Sequence, residues 1–377
     1  MGSRKKISIH SHPKNILWLS WRDIKNPTSG GAEKVAIEVT SRFVRDGSTV
    51  TIFTSRFKGG KPQEVIRGVN INRRGNRLTC RFFALLYYLR FRRKIDLIID
   101  EINTLPFLTP LFAKTRSVAF IHQLAKEYWF NLTLFPLNYI GYFLEPLYLR
   151  LYKNTPIITV SNSTKNDLTR LGLTNIKLVR EGLDFKPQIP RTKKNIIVFV
   201  GRLNPVKKPE DALKAFKQIL HSFPNYQMLI IGNGHKIYLK SLKKLAVKLR
   251  IHKKVTFCGY LDQKTKVNYL KKAKIILIPG IREGWGLVAT EAQATGCVPI
   301  SYDIPGLRDS IQNNVNGLLV KSNPDSLSKA AIALLTNDSL RSHLAKNSFM
   351  HAQKFSWENT YEDFREVLDD KPLKASR

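Results

Sequence analysis

Short apolar runs alternate with longer segments of helical periodicity along almost the whole chain. In the first half, the pattern predicts a helix over residues 31–45 and strands over residues 15–21, 49–54, 96–100, 117–121 and 156–160. In the second half, it predicts helices over 209–221 and 235–249 and strands over 195–200, 226–231, 255–258, 275–278 and 298–302. Strands that alternate with helices of this length are typical of parallel sheets covered by helices on both faces.

A segment rich in proline and lysine, residues 186–194, separates the two series of elements. The pattern therefore predicts an α/β fold with two Rossmann-like domains, residues 1–186 and 187–354, that face a central cleft. In such folds, ligands bind beyond the carboxyl ends of the strands. The last segment, residues 355–377, has apolar residues at helical spacing, and we expect it to form a helix that crosses back to the N-terminal domain.

The charge of the chain narrows the choice of partners. Its 377 residues carry a formal net charge of +35, which is spread over both halves. Nucleic acid, an anionic membrane surface or a phosphorylated substrate would suit this excess, and a solvated Lys-rich surface would also account for it. No apolar run reaches the roughly 18 residues of a membrane span, and the basic N-terminus lacks the apolar stretch of a secretory signal. The three scattered cysteines are typical of a reduced compartment.

Two carboxylates eight residues apart, Glu283 and Glu291, form the most informative motif. A glycine-bracketed loop and a helix-forming run follow the strand predicted at 275–278, so we expect a strand–loop–helix joint here. Backbone amides at such a joint can face an anionic ligand. Paired acidic residues beside them indicate a sugar ligand, and not a simple phosphate.

A second motif opens the C-terminal domain, where Gly201 ends a strand and Arg202 and Lys207 follow in the next loop. A diphosphate leaving group needs cations at this place, because negative charge builds up on it as the bond breaks. The sequence has no Asp-x-Asp metal-binding motif, so the two cations would replace a divalent metal ion. A solvated basic loop is the alternative interpretation.

Four further glycines and one histidine follow predicted strands. Gly30 and Gly31 open the first helix like a phosphate-cradling turn, but they form neither a dinucleotide-binding fingerprint nor a P-loop, and a helix cap is the alternative. Gly232 and Gly234 follow the strand predicted at 226–231, where a tight turn is the alternative. His122 ends the strand predicted at 117–121 on the cleft side, and a structural role is the alternative.

Taken in their order along the chain, these motifs resemble glycosyltransferase family 4, a family of retaining enzymes with the two-domain GT-B architecture. The resemblance extends from residue 16 to residue 364 and is most specific over 283–299. It implies that Arg202 and Lys207 neutralise the nucleotide diphosphate of the donor. It also implies that Glu283 binds hydroxyls of the donor sugar and that Glu291 holds the nucleotide ribose.

The same resemblance adds backbone groups to the donor site. It implies that amides around Gly286 and Leu287 contact the sugar and the phosphate. From the N-terminal domain, Gly31 would approach the diphosphate and His122 would line the donor sugar. Gly30, Gly201, Gly232 and Gly234 complete the predicted donor-binding set. The sequence from Glu181 to Asp184 is similar to the family's Asn-Gly-Val-Asp at the domain junction, with Glu181 in place of the usual Asn.

The resemblance also implies a reaction. A sugar would move from a UDP-sugar or GDP-mannose to an acceptor hydroxyl and keep the α configuration. The donor is a co-substrate, and we expect no cofactor and no metal ion. We expect the acceptor to be a lipid-linked or phosphorylated glycan of the cell envelope. We expect the protein to be cytoplasmic and peripheral at the inner face of the cell membrane.

Two stretches of the N-terminal domain suggest how a membrane would be contacted. Residues 73–94 combine eight basic residues with aromatic and aliphatic ones and contain no acid. This composition predicts a basic amphipathic helix that lies on an anionic membrane, and a helix of the core is the alternative. Residues 129–152 are also rich in aromatic residues, but their prolines and Glu145 exclude a membrane span. This second stretch could pack the domain or hold a lipid chain.

Three other functions are alternatives to glycosyl transfer. A nucleic-acid-binding protein would need a binding module or a concentrated basic face, whereas the charge here is diffuse, so we expect no nucleic-acid partner. A sugar-nucleotide epimerase of the same architecture would turn over the donor without an acceptor. A glycogen- or sucrose-type synthase is disfavoured, because such enzymes usually carry longer insertions in the first domain.

Overall fold

The computed structural model of the protein describes residues 13–132 and 134–369. The strands of its first domain are β1 (Asn15–Leu19), β2 (Thr49–Thr54), β3 (Gln63–Ile66), β4 (Val69–Arg73), β5 (Leu97–Ile102), β6 (Arg116–Ile121), β7 (Ile157–Thr159) and β8 (Ile176–Leu178). Its helices are α1 (Gly31–Arg45), α2 (Cys80–Phe91), α3 (Trp129–Leu132), α4 (Leu137–Arg150) and α5 (Asn162–Arg170). The sheet has the order β3-β4-β2-β1-β5-β6-β7-β8, and every neighbouring pair is parallel except β3 with β4.

The second domain is also built from a parallel sheet and helices. Its strands are β9 (Ile196–Val200), β10 (Gln227–Ile231), β11 (Val255–Gly259), β12 (Ile275–Ile278), β13 (Val298–Tyr302) and β14 (Leu318–Val320). Its helices are α6 (Pro209–Ser222), α7 (Lys236–Lys248), α8 (Gln263–Lys272), α9 (Leu287–Gln293), α10 (Leu307–Ser310), α11 (Pro324–Thr336) and α12 (Asp338–Ala352), and α13 (Trp357–Asp369) ends the described chain. The sheet has the order β11-β10-β9-β12-β13-β14 and is parallel throughout.

The predicted α/β fold with two parallel sheets is confirmed, and most predicted elements lie within two residues of their predicted bounds. Helix α1 and strands β2, β12 and β13 match their predictions at both ends. Four short strands were missed, namely β3, β4, β8 and β14. Each of them has at most five residues, and β3, β8 and β14 are edge strands. Their apolar runs are too short to be recognised in the sequence.

One sequence-based prediction for the first domain is wrong. Residues 73–94 do not form a single amphipathic helix. Arg73 ends β4 and is fully buried, where it bonds to Asp23 and Glu64. Helix α2 begins only at Cys80. Its apolar side chains lie on both the buried and the exposed sides, so the helix has no distinct polar face.

The two faces of the N-terminal sheet carry different helices. Along β1, Ile16 and Trp18 pack with α1 and α13, whereas Leu17 and Leu19 pack with α2 on the opposite face. Residues of β6 alternate in the same way, and Ile121 packs with the end of α4. Helices α2 and α4 therefore lie side by side on one face of the sheet, because the strand period of two fixes which residues share a face.

The last helix, α13, packs on the N-terminal domain although it follows the C-terminal domain in the chain. Phe364 and Leu368 of α13 share a buried cluster with residues of α1 and β1. Where the chain first leaves the N-terminal domain, Gly182 lies directly against the backbone of Trp357. The indole of Trp357 donates to Asp184 Oδ1 (2.7 Å), and Thr360 Oγ1 donates to Arg180 O (2.8 Å). The two segments that link the domains are thus bonded to each other.

Candidate active site

Loops at the carboxyl ends of both sheets meet between the domains and hold the predicted site residues. They are the loop after β1, the segment after β6, and the loops after β9 and β12. Hydrogen bonds join them across the cleft. Arg202 Nη1 donates to Thr28 O (3.4 Å), and the Tyr128 hydroxyl donates to Arg282 O (3.1 Å). The predicted position of the cleft therefore agrees with the contacts in the structure.

Lys207 and Glu283 form an ion pair between the loops after β9 and β12. Their side chains are only 19% and 18% exposed. Burial alone would lower the pKa of Lys207, but the nearby charge of Glu283 outweighs it and raises that pKa. Lys207 therefore stays a cation although it lies mostly out of water.

The loop that carries Glu283 is fixed on two sides by backbone contacts. Ile281 N donates to Val206 O (2.9 Å), which ties it to the loop of Lys207. Glu283 N donates to Pro305 O (3.2 Å), and Gly306 packs so closely on the Glu283 carbonyl that a Cβ would collide with it. The ion pair is thus presented by two loops that support each other.

Gly284 brings this loop into contact with the N-terminal domain. A Cβ at Gly284 would lie 2.9 Å from the carbonyl oxygen of His122. This distance is shorter than side chains tolerate against backbone, so only glycine allows the two domains to approach this closely. His122 and the Lys207–Glu283 pair consequently lie in the same part of the cleft.

His122 lies between two buried carboxylates. Its Nδ1 is 3.3 Å from Glu181 Oε1, and its Nε2 is 3.7 Å from Glu101 Oε1. Burial alone would lower the pKa of His122, but the carboxylates of Glu101 and Glu181 outweigh it and raise that pKa to about 9. Nε2 has no hydrogen-bond partner among the described residues, so a charged imidazole has one N–H left for a ligand.

Arg202 extends from the C-terminal domain toward a second arginine, Arg22, in the loop after β1. Arg22 Nε bonds to Glu33 Oε1 (2.7 Å), and Glu33 Oε2 accepts from Gly30 N (2.6 Å) at the start of α1. Burial lowers the pKa of Arg22 despite the attraction of Glu33, and the charge of Arg202 adds to the lowering. Two guanidinium groups that repel each other across a cleft suit an anionic ligand.

Glu291 lies on α9 and is 7% exposed. Its Oε1 accepts from Lys266 Nζ (2.7 Å) and Gln263 Nε2 (3.0 Å). Its Oε2 is buried and has no hydrogen-bond partner among the described residues. A buried acceptor without a donor costs free energy, so a ligand hydroxyl bound there would relieve that cost.

The predicted glycines have identifiable places in the structure. Gly31 faces Leu287 across the cleft, with 3.2 Å between its Cβ position and Leu287 Cδ1. Gly286 caps α9 with a φ of 87°, a left-handed conformation that favours glycine. Gly232 and Gly234 let the loops after β9 and β10 pack backbone to backbone, because a Cβ there would collide with the carbonyl oxygens of Gly201 and Leu203. The close packing accounts for these two without a ligand, whereas a Cβ at Gly201 would meet nothing nearer than 3.8 Å. The predicted donor contacts of all three glycines stay a prediction.

Sequence reasoning missed several cleft residues. Arg22 lies in the loop before Gly30 and Gly31, where the glycines are the only clear signal. Glu101 lies within a fully buried strand, where a carboxylate next to a second one was a usable signal. Tyr128 is half-buried near Lys207 and Glu283, and desolvation raises its pKa. Nothing in the sequence marked Arg282, which is 5% exposed and pairs with Asp167 across the domains.

Comparison with protein families identifies the chain. The model described as Glycosyltransferase Family 4 matches residues 29–186, and the model described as Glycosyl transferases group 1 matches residues 181–350. The two matches meet where the chain passes from one domain to the other. The chain belongs to the family 4, group 1 glycosyltransferases. This confirms the resemblance drawn from the sequence.

Solved structures place this glycosyltransferase in the GT-B fold. Sucrose-phosphate synthase from Thermosynechococcus elongatus matches with a TM-score of 0.80 and 19% identity, over 94% of this chain and 98% of that chain. HepE from Anabaena, solved in complex with UDP and glucose, matches with a TM-score of 0.75 and 16% identity, over 96% of this chain and 100% of that chain. At these identities the likeness shows the fold alone. The match to the synthase also corrects the sequence argument from length, because the short first domain does not separate this glycosyltransferase from a sucrose-type synthase.

Curated sequences match the glycosyltransferase over about half of its chain. D-inositol 3-phosphate glycosyltransferase of Acidothermus cellulolyticus is 29% identical over 182 residues, which are 46% of this chain and 41% of that protein. The chain spans about half the length of the curated relatives it matches. Donor and acceptor are therefore matters for proposal.

The remaining predictions for the site are untested. Within residues 13–132 and 134–369, no group of three or more His, Cys, Asp or Glu side chains could hold a metal ion. A reaction without a metal or cofactor stays a prediction. So do the roles assigned to the individual site residues.

Proposed function

We propose that this glycosyltransferase transfers a sugar from a nucleotide sugar to an acceptor hydroxyl and that the product keeps the α configuration of the donor. The observation that carries the proposal is the half-buried ion pair of Lys207 and Glu283 at the cleft, next to the exposed Arg202. A cation and a carboxylate side by side match a ligand that has a diphosphate at one end and hydroxyls at the other.

The cations would stabilise the leaving group. As the bond between the sugar and the diphosphate breaks, negative charge grows on the phosphate oxygens. Lys207 is held charged by Glu283, and Arg202 offers a planar fork to phosphate oxygens. Charges that are in place before the reaction lower its barrier, because they need no reorganisation when the new charge appears.

Retention is proposed from the pairing of the carboxylates. Glu283 is bonded to Lys207, and Glu291 is bonded to Lys266 and Gln263, so neither is placed as the free base of an inverting reaction. The departing diphosphate could take the proton of the acceptor hydroxyl instead. The acceptor oxygen would then bond to the anomeric carbon on the face that the diphosphate leaves. His122 would donate from Nε2, which has no hydrogen-bond partner among the described residues, to a hydroxyl of the sugar.

For the donor, we favour a UDP-sugar. HepE, which shares the fold, was solved with UDP and with UDP-glucose. Glu291 would accept a hydrogen bond from a ribose hydroxyl through its free Oε2. GDP-mannose, which would make the enzyme a mannosyltransferase, is the alternative donor and should be tested in the same assay. A contact to the ribose does not distinguish the two donors, because both nucleotides contain ribose.

For the acceptor, we propose a lipid-linked or phosphorylated glycan of the cell envelope. The net charge of +35 supports an acidic or membrane-bound acceptor. No helix among the described residues is long and apolar enough to cross a membrane. The cytoplasmic, peripheral location at the inner face of the cell membrane stays part of this proposal.

A ligand screen followed by product analysis tests the function. A ligand that binds only the folded protein stabilises it, by about 2.7 kcal/mol at a ligand concentration of about 100 Kd. The melting temperature of the protein rises as a result. We expect UDP or a UDP-sugar to stabilise the protein and Arg202→Ala to weaken that effect. If no nucleotide sugar stabilises the wild type, the proposed function is wrong.

The product separates the mechanisms. Proton NMR of the glycoside should show an α linkage from an α-linked donor, and a β linkage would refute retention. Donor that is converted to another nucleotide sugar in the absence of any acceptor would favour the epimerase. Lys214→Ala, an exposed lysine on α6, serves as the control for general loss of charge.

A further inference from the structure

Exposed apolar side chains are concentrated on one face of the N-terminal domain. Sixteen of the twenty-four exposed large hydrophobic residues of the described chain fall between residues 78 and 151. Leu134 is 86% exposed, Phe135 79%, Phe143 66% and Leu147 54%. Monomeric proteins rarely expose apolar area on this scale without a partner for it.

The two helices that carry most of these residues are joined through one segment of the chain. Helices α2 and α4 lie on the same face of the sheet, and the segment after β5 runs between them. Arg81 of α2 donates to Leu105 O (2.6 Å) and Pro106 O (2.9 Å), and Tyr148 of α4 donates to Thr104 O in the same segment. We call the exposed apolar side chains of residues 78–91, 111, 130 and 134–151 the α2–α4 face.

The exposed charges near the α2–α4 face are mainly positive, although Asp96 and Glu127 in neighbouring segments are exposed acids. Six exposed cations lie in or just after the last turns of its helices, namely Arg90, Arg92, Arg93, Lys94, Arg150 and Lys153. None of them forms an ion pair within residues 13–132 and 134–369. The only acid on either helix is Glu145, which is buried and accepts from Ala125 N and Lys126 N. The surface is therefore apolar with a cationic rim.

We propose that the α2–α4 face docks onto the surface of an anionic lipid bilayer. The apolar side chains would enter the boundary between headgroups and acyl chains, and the six cations would meet the lipid phosphates. A second copy of the chain fits less well, because it would bring one cationic rim against another. Helix α4 has 14 residues and is about 21 Å long, too short to cross a hydrocarbon core of about 30 Å, so it lies in the plane of the membrane.

One segment of the chain connects the α2–α4 face to the active site. The segment after β6 carries His122 and Tyr128 at the cleft and continues directly into α3 and α4. Trp129 packs against Gly141 of α4, which connects the cleft end of this segment to the docking helix. A lipid-linked acceptor in the bilayer would thus have its head near the donor site. The inference rests on the proposed function for this acceptor, whereas the docking itself can be measured separately.

Vesicle sedimentation tests the docking. The full-length protein is mixed with vesicles of phosphatidylcholine alone or with phosphatidylglycerol added, at low and at high salt. We expect binding to the anionic vesicles, which salt weakens. The double variant Phe143→Ser/Leu147→Ser should bind about tenfold less, because it removes two exposed side chains that would enter the membrane. Removing two rim charges in Arg90→Gln/Arg93→Gln should weaken binding by about thirtyfold.

Matched controls come from α7 of the C-terminal domain. Ile237 and Val247 are 74% and 57% exposed, so Ile237→Ser/Val247→Ser removes a similar apolar surface elsewhere, and Lys240→Gln/Lys244→Gln removes two exposed charges. These variants should bind vesicles like the wild type. Equal losses in the α4 and α7 variants would overturn the proposal. It would also be overturned if the wild type does not bind anionic vesicles, or if Phe143→Ser/Leu147→Ser changes only the oligomeric state.

Stabilisation by UDP, measured in every variant, separates this inference from the proposed function. Normal UDP binding with no vesicle binding would refute the docking alone. Vesicle binding without a response to any nucleotide sugar would refute the proposed function and leave the docking in place.

Discussion

The pair of carboxylates around His122 leads to a stability prediction that depends on pH. We consider Glu181→Gln, which keeps the shape of the side chain but removes one of the two charges. Glu101 and Trp18 stay in place, with the Trp18 indole donating to Glu101 Oε2 (2.6 Å), and Asn103 Nδ2 donates to Glu101 Oε1 (2.9 Å). The variant therefore weakens the attraction on the imidazolium without opening a cavity.

The magnitude follows from the pKa. A rise from 6.5 to about 9 corresponds to on the order of 3 kcal/mol of folding free energy. Because the pKa is raised in the folded state, this stabilisation is fully present below pH 6.5 and is lost as the pH rises through about 9. If the two carboxylates share the effect, Glu181→Gln should cost about 1–2 kcal/mol near neutral pH and little at about pH 10.

Urea unfolding between about pH 6 and pH 10 is the assay, followed by tryptophan fluorescence. The quantity of interest is the difference in unfolding free energy between wild type and variant at each pH, which cancels the titration of the many lysines. Glu366→Gln, an exposed acid on α13, is the control and should show no such trend. A difference that is the same at every pH, or that grows toward high pH, would refute the charged state of His122.

Three further predictions concern the cleft. Lys207→Ala should lower kcat/KM for transfer by about 10²–10³, because a preorganised charge on the leaving group is lost, whereas Lys214→Ala should have little effect. Gly284→Ala should lower activity, since its Cβ would press on the His122 carbonyl at 2.9 Å, whereas Gly280→Ala has 3.7 Å to its nearest neighbour and should be tolerated. In calorimetry, 2′-deoxy-UDP or 3′-deoxy-UDP should bind the wild type about tenfold more weakly than UDP, and Glu291→Gln should reduce that preference.

Each of these has an outcome that contradicts it. Wild-type kcat/KM in Lys207→Ala would remove the lysine from the leaving-group site. Equal activity of the two glycine variants would show that the domains do not need their close contact. A ribose preference that Glu291→Gln leaves unchanged would mean that the unpaired Oε2 serves another ligand or none.

The sequence predicts those elements of the fold whose burial leaves a clear pattern of apolar residues. Strands β12 and β13 are buried on both faces, so their apolar runs gave the bounds directly. The prediction of one helix over residues 73–94 is wrong because composition does not show which arginines are buried. Arg73 and Arg90 look alike in sequence, yet one is paired inside the sheet and the other is exposed.

The sequence predicts which loops carry the site residues, but it does not predict which of these residues form ion pairs. Glycines and strand ends located Lys207 and Glu283, but the ion pair joins residues 76 positions apart and depends on strands β9 and β12 being neighbours. The two acids at the end of β5 show the same limit. Asp100 accepts a hydrogen bond from the Tyr152 hydroxyl, whereas Glu101, one residue later, faces His122 on the other side of the sheet.

The two segments that link the domains are hydrogen-bonded to each other, and this contact affects how the domains can move. A single linker would let the domains swivel in any direction, but here Gly182 and Trp357 are in contact, so the two links form one narrow hinge. Such a hinge permits rotation about its own line and resists sliding or twisting. Opening of the cleft for exchange of donor and product would then be a one-dimensional motion, and each closure would return Gly284 to the same carbonyl of His122.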